Sequence, residues 1–250
     1  TVLPLVVEQI LVMLVGMADT MMVSHVGEAA ISGVALVDMV NNLIITVLAA
    51  LATGGAVIVS QYLGSQNSGG ANRSAGQLIT VTLLFSAAVM VLCLVLHKGI
   101  LTLLYGSVEQ EVMDAAVTYF FISALSFPFL GLYNSAAALF RSMRKTPITM
   151  YVSIFMNVCN VAGNALGVFV LRAGVAGVAV PTLLSRAAAS VILLALLLKS
   201  KSGVSVKIKE IFSFDKSTIG RILKIAVPNG IENGLFMLGK VLVTSIVALF

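Results

Sequence analysis

Seven mainly apolar stretches, each about 20 residues or longer, follow one another along the chain. They occupy residues 2 to 23, 30 to 63, 74 to 97, 116 to 140, 148 to 171, 175 to 198 and 222 to 250. At 1.5 Å of rise per residue, about 20 residues of helix cross a hydrocarbon layer about 30 Å thick. With 59% hydrophobic and 10% charged residues in 250, there is more apolar surface than a soluble globule could hide. The expected fold class is therefore all-α: a polytopic transmembrane helical bundle. That excludes secreted disulfide scaffolds, nucleic-acid binders and ordinary soluble enzymes. Cys93 and Cys159 lie inside apolar runs and read as packing residues.

The net charge of +5 reports topology before it reports partners. Loops on one side carry Arg73, Arg141, Arg144, Lys145 and the seven Lys and Arg of the long connection between Lys199 and Lys224; the other side carries only Lys98 and Arg172. Lys and Arg accumulate on cytoplasmic loops. The expectation is a multi-pass protein of the cell's inner membrane with its N-terminus inside and the acidic loop from Glu109 to Asp114 outside. The long connection alternates Val and Ile with Ser and Lys around Val204 to Ile211, a pattern expected to lie amphipathically on the membrane face.

An internal repeat links the two ends of the chain. Leu3 to Leu14 set over Val227 to Leu238 pairs Pro4 with Pro228, Glu8 with Glu232, Leu11 with Leu235, Met13 with Met237 and Leu14 with Leu238. Both segments would enter the membrane from the same side, which makes the repeat parallel. Residues 1–198 then form an N-terminal six-helix lobe, 199–221 a cytoplasmic amphipathic linker, and 222–250 the first helix of a second lobe. No signal-peptide pattern is present, so the first span is expected to stay in the mature chain; the missing initiator Met and an end at Phe250 inside an apolar run, with the repeat, lead to the expectation of a piece of a longer protein with about twelve spans.

Charged groups within a bilayer cost several kcal/mol and want a partner or a purpose. The in-span acids are Glu8, Asp19, Asp38 and Glu232, and the in-span bases are Arg186 and Lys240. Asp19 lies deep in the first span and reads either as a protonatable or cation-binding carboxylate or as a helix-packing hydrogen-bond partner. Asn157, Asn160 and Asn164 share one face of the fifth span, offering carboxamide oxygens to Na⁺ or to a protonated carboxyl group, or else an interhelical zipper. Thr182 follows Pro181, whose missing N–H frees a carbonyl nearby. Glu8 is favoured by the helix dipole, Glu232 lies further into its helix, and Asp38 is followed by Asn41 and Asn42 on a stretch suited to an aqueous cleft. No His-Glu-x-x-His or Walker pattern is present, so no metalloprotease or ATPase chemistry is expected.

Val15 to Gly27, Gly54 to Gly64, Phe140 to Pro147 with the three asparagines, and Gly174 to Thr182 together resemble the multidrug and toxic compound extrusion (MATE) family of cation-coupled antiporters. The resemblance implies a twelve-helix protein of two six-helix lobes that exchanges Na⁺ or H⁺ for organic, often cationic, drugs by alternating access. It implies a cation site at Asp19, Asn160, Asn164 and Thr182 and a bending role for Pro4. Some members have an aspartate where this chain has Asn164, and others a seventh-helix glutamate one turn further in than Glu232. Asn157, Asp38 and Glu232 are expected as cavity or secondary polar residues. The expected partners are membrane lipid and small organic substrates, with no cofactor beyond the coupling ion and no nucleic acid, in a full-length protein that is monomeric. The nearest rival is a flippase for a lipid-linked sugar or precursor, which would line its cavity with several bases; a non-transporting membrane scaffold would need no mid-membrane polar stripe.

Overall fold

The computed structural model describes residues 2–105, 108–200, 203–211 and 214–247, and among these every regular element is helical. The order is α1 (Val2–Ser24), α2 (Glu28–Gly64), α3 (Ser68–Tyr105), α4 (Gln110–Leu125), α5 (Phe127–Ser142), α6 (Thr146–Ala165) with a π-helical turn (Leu166–Val170), α7 (Ala176–Lys199), α8 (Ile208–Ile211) and α9 (Lys216–Val247). Among the described residues, five helices are long and apolar enough to cross a membrane, and α4 with α5 makes a sixth, so the chain is a multi-pass membrane protein. Residues 248–250, Lys201 and the side chain of Lys240 lie outside the described residues.

Three elements depart from the periodicity of the sequence. The span expected as one helix over 116 to 140 is two, bent by 46° at Ser126. The ring of Pro128 sits in the first turn of α5, where its missing N–H costs no hydrogen bond, and so a new helix starts there rather than the old one continuing. Helix α3 runs from Ser68 to Tyr105, beyond both expected ends, and starts early where Asn67 Oδ1 accepts the Gly70 N–H at 2.9 Å and caps it. At 37 and 38 residues, α2 and α3 run about 56 Å, nearly twice the hydrocarbon thickness, so both protrude from it.

The third departure is the linker, whose apolar side chains pack into the bundle. Val204, Val206 and Ile211 are buried in one core cluster with α2, α3, α5 and α7, while Lys207 and Lys209 face outward. The reason is polar as well as apolar: α3 carries buried Ser74, Gln77, Thr80 and Thr82, which lipid would strand. Gln77 Nε2 donates to the Glu210 carbonyl at 3.1 Å and Gln77 Oε1 accepts the Asp215 N–H at 3.0 Å. The Ser205 N–H donates to Asn72 Oδ1 at 2.9 Å, and Thr80 Oγ1 donates to the Ile211 carbonyl. An amphipathic strip beside a helix that offers hydrogen bonds docks there, where its backbone is satisfied.

Helix α2 is the hub, packed against α3, α4, α5 and α9. A second core cluster, built around Val37, Phe120, Phe127 and Val178, fills the end of the bundle away from the linker. Along α6 and α7, the polar residues Asn160, Asn164 and Thr182 fall between the parts that enter these two clusters.

Candidate cation site

Small residues bring α6 and α7 close enough to share side-chain hydrogen bonds. A Cβ at Gly163 would stand 2.6 Å from Pro181 Cβ, and one at Gly167 only 2.1 Å from the Gly177 carbonyl oxygen. At that separation Asn160 Nδ2 donates to Thr182 Oγ1 at 2.8 Å, and the Thr182 hydroxyl donates to the Val178 carbonyl at 2.9 Å. One turn along α6, Asn164 Nδ2 donates both to Asn160 Oδ1 at 3.2 Å and to Asp19 Oδ1 at 2.6 Å. Helix α1 packs mainly on α6, which places Asp19 at the end of this chain. All four residues expected to form a cation site are thus brought together.

The chain of hydrogen bonds leaves one acceptor unused: Asn164 Oδ1 is buried and has no partner. A stranded carbonyl oxygen costs about 1–3 kcal/mol unless something donates to it or coordinates it. The same hydrogen-bonded chain holds the Asp19 carboxylate, the Asn160 carboxamide oxygen and the Thr182 hydroxyl, an all-oxygen set suited to a hard monovalent cation or to a proton on the carboxylate. The described residues contain no group of three or more His, Cys, Asp or Glu that could hold a metal ion, so softer metals find no cage here.

Asp19 and Thr182 also line a cavity of about 240 Å³ between α1, α2, α4 and α7. Its other polar lining includes Asp38, Asn41, Tyr119 and Arg186. Asp38, Asn41 and Asn42 thus line the same cavity as Asp19. Glu232, by contrast, is exposed on α9 and does not reach this cavity. Asn157 is buried, but its Nδ2 has no partner and it takes no part in the chain from Thr182 to Asp19. Pro4 stands near the described start of α1.

Several groups carry no sequence motif. Glu8 Oε2, Tyr133 Oη and Asn134 Nδ2 are buried without hydrogen-bond partners. Ser123 and Ser126 link the bend between α4 and α5 to its surroundings: Ser126 Oγ donates to the Ser123 carbonyl at 2.6 Å and accepts from Arg186 Nη1 at 2.8 Å. Asn41 Nδ2 donates to Ser123 Oγ at 3.2 Å. The one available signal was the pairing of two serines with Pro128 inside an apolar run.

The protein family described as MatE matches residues 4–166. The uncharacterized transporter YisQ of Bacillus subtilis (strain 168) is 30% identical over 250 residues, covering 98% of this chain and 54% of its own length. The probable multidrug resistance protein NorM of Thermotoga maritima is 26% identical over 258 residues, covering 98% and 53%. Among solved structures, the outward-facing conformation of a multidrug resistance MATE family transporter of the MOP superfamily superposes with a TM-score of 0.86 at 20% identity, over 92% of this chain and 51% of that one. The chain spans about half the length of the relatives it matches.

Proposed function

Because the chain belongs to the MatE family, we propose that it forms one lobe and the first helix of the second lobe of an alternating-access exporter that drives organic, often cationic, drugs out against Na⁺ or H⁺. The observation that carries this reading is the unpartnered Asn164 Oδ1 beside the Asp19 carboxylate. An acceptor left open next to a charged acceptor is what a loaded cation or proton would satisfy. The protein would sit in the cell's inner membrane with its N-terminus cytoplasmic, as the distribution of Lys and Arg favours.

The cycle follows from differential binding. Asp19 takes up a cation in the state open to the outside, with Asn160, Asn164 and Thr182 turning oxygens to it. Loading satisfies Asn164 Oδ1 and removes the negative charge that holds a cationic drug in the adjoining cavity. Drug and coupling ion then compete for one carboxylate, so binding of either favours release of the other.

Asp19→Asn in the full-length protein tests this. Drug efflux into or out of proteoliposomes should lose its dependence on the Na⁺ or pH gradient while the protein still inserts and purifies as a single species. Gradient-driven efflux at the wild-type rate would overturn the reading.

A further inference from the structure

The buried face of α6 is polar over almost its whole length. Of the seven residues that α6 buries, Thr146, Thr149, Ser153, Asn157, Asn160 and Asn164 are polar and only Val152 is not. They recur at helical spacing and so form one stripe about 27 Å long, close to the thickness of the hydrocarbon layer. A stripe that served packing alone would pair its groups across the helix contact. Bonds of that kind join Asn160, Asn164 and Thr182 at the Asp19 end. Toward the other end, Asn157 Nδ2 and Thr146 Oγ1 are buried without a partner, in residues only 7% and 6% exposed.

Helix α1 lies along this stripe in a register that two contacts fix. Asn164 Nδ2 donates to Asp19 Oδ1 at 2.6 Å, and farther along both segments the His25 and Phe169 rings meet edge to face with centroids 5.3 Å apart. The two helices therefore run in the same direction and in step. Glu8 lies eleven residues before Asp19, three turns back and within about 20° of the same face, which brings it level with Ser153, about 16 Å from the level of Asp19. Val152, beside Ser153, belongs to the core cluster that buries Val204 and Val206 of the linker, so Glu8 lies in the linker half of the bundle. Tyr133 reaches the same depth, ten residues before Met143 at the turn between α5 and α6, while Ser153 and Asn157 stand eight and twelve after Lys145.

Glu8 Oε2 and Tyr133 Oη are themselves buried and without partners. An open carboxylate oxygen in the same layer as an open amide donor and an open hydroxyl makes a mixed set. Water, which both donates and accepts, satisfies such a set, whereas a bare cation needs oxygens and is repelled by an amide N–H. No salt bridge holds Glu8 among the described residues. From the level of Asp19 to the linker end, α6 has no charged residue and α2 none after Asp38. Helix α7 has Arg186, which donates to Ser126 Oγ, and its last residue Lys199; Arg141 of α5 turns its Nε to the Ala137 carbonyl.

We infer that the seam between α1 and α6 is the route by which the coupling ion, a proton, passes from Asp19 to the linker side of the membrane, with Glu8 as its relay carboxylate. The inference rests on the reading of Asp19 as the coupling carboxylate. The Asp19 O–H bond breaks and its proton passes to water; water gives a proton to the Glu8 carboxylate, forming its O–H, and Glu8 returns that proton to water at the start of α1. Charge is conserved at each transfer.

The test uses the full-length protein in proteoliposomes, with ethidium as the drug. A positioned group speeds a proton transfer about 100-fold or more, and release need not be the slowest step in wild type, so efflux driven by a pH gradient should fall at least about tenfold in Glu8→Gln. Exchange of labelled for unlabelled ethidium at equal pH moves no net proton and should keep its wild-type rate. Glu8→Asp restores the carboxylate and should recover most of the gradient-driven rate. Asn157→Leu should slow that rate while leaving the ion affinity at Asp19 in place. If Glu8→Gln yields no folded protein, Asn157→Leu set against the exchange assay carries the same test. Gradient-driven efflux at the wild-type rate in Glu8→Gln, or exchange lost together with efflux in the folded variant, overturns the relay. Efflux driven by a Na⁺ gradient alone at equal pH overturns the proton route and leaves Asp19 standing. Gradient-driven efflux that survives in Asp19→Asn overturns Asp19 as the coupling group instead.

Discussion

Asn164 does two opposite things with one carboxamide. Its Nδ2 fixes the Asp19 carboxylate and the Asn160 oxygen, while its Oδ1 is left open at zero exposure. Replacing it with Leu keeps the volume roughly constant but removes both the orienting donor and the open acceptor. Loss of a group that orients a ligand typically weakens ion binding by about 10–100-fold. We expect the apparent affinity for the coupling ion in Asn164→Leu to fall by about that factor, read from efflux rates as external Na⁺ or pH is varied. Asn157→Leu removes an amide that bonds to nothing in the cation chain, and the same titration should leave its ion affinity within about twofold of wild type. The three asparagines were legible in the sequence as one stripe; which of them faces Asp19 was not, because helical spacing fixes a face but not the neighbour it meets.

At the scale of elements, the site depends on how closely two helices approach. Gly163 against Pro181 and Gly167 against Gly177 set the separation of α6 and α7, and with it the bond from Asn160 to Thr182. Gly167→Leu must push the helices apart, since its Cβ alone would overlap the Gly177 carbonyl. Overpacking of this kind costs about 1–3 kcal/mol, and should appear as a lower unfolding temperature of the detergent-purified protein together with weakened ion coupling. The bend at Ser126 belongs to the same scale. The apolar periodicity runs on across Pro128, and only the docking of Arg186 and Asn41 onto the two serines gives the corner its place.

Across the whole molecule, the linker ties α3 to the start of α9 at one end of the bundle. Asp215 bonds to the Thr218 hydroxyl and the Ser217 N–H at the start of α9, and pairs with Arg73 of α3 at 3.1 Å. The Thr218 hydroxyl first, then the Ser217 N–H and Arg73, hold its carboxyl below the usual carboxylate value. A lowered value means that the ionised form favours the docked state. That contribution is therefore complete above the ordinary carboxylate range and is lost as pH falls through the lowered value. Hydrogen exchange at Ser205 and Asp215, corrected for intrinsic rates, should stay protected past the point where a free aspartate is half protonated, then rise. Asp215→Asn should expose the segment to trypsin at Lys209 and Lys216 faster than wild type at neutral pH, and Arg73→Gln should do so to a lesser degree, since exposed pairs contribute little.

By itself the sequence determined that this chain crosses a membrane repeatedly as helices, because apolar runs of that length have no other stable home. It also marked Asp19, Thr182 and the stripe of Asn157, Asn160 and Asn164, because polar groups in such runs are costly enough to be conspicuous. Tertiary structure alone decided the rest. It turned the linker's apolar face onto α3 rather than lipid, broke the fourth span at Ser126, brought Arg186 and Asp38 into the cavity of Asp19, and left Glu232 outside it. Hydropathy along a chain records what each residue gains by leaving water, whereas pairing between residues far apart in sequence depends on which helices pack against which.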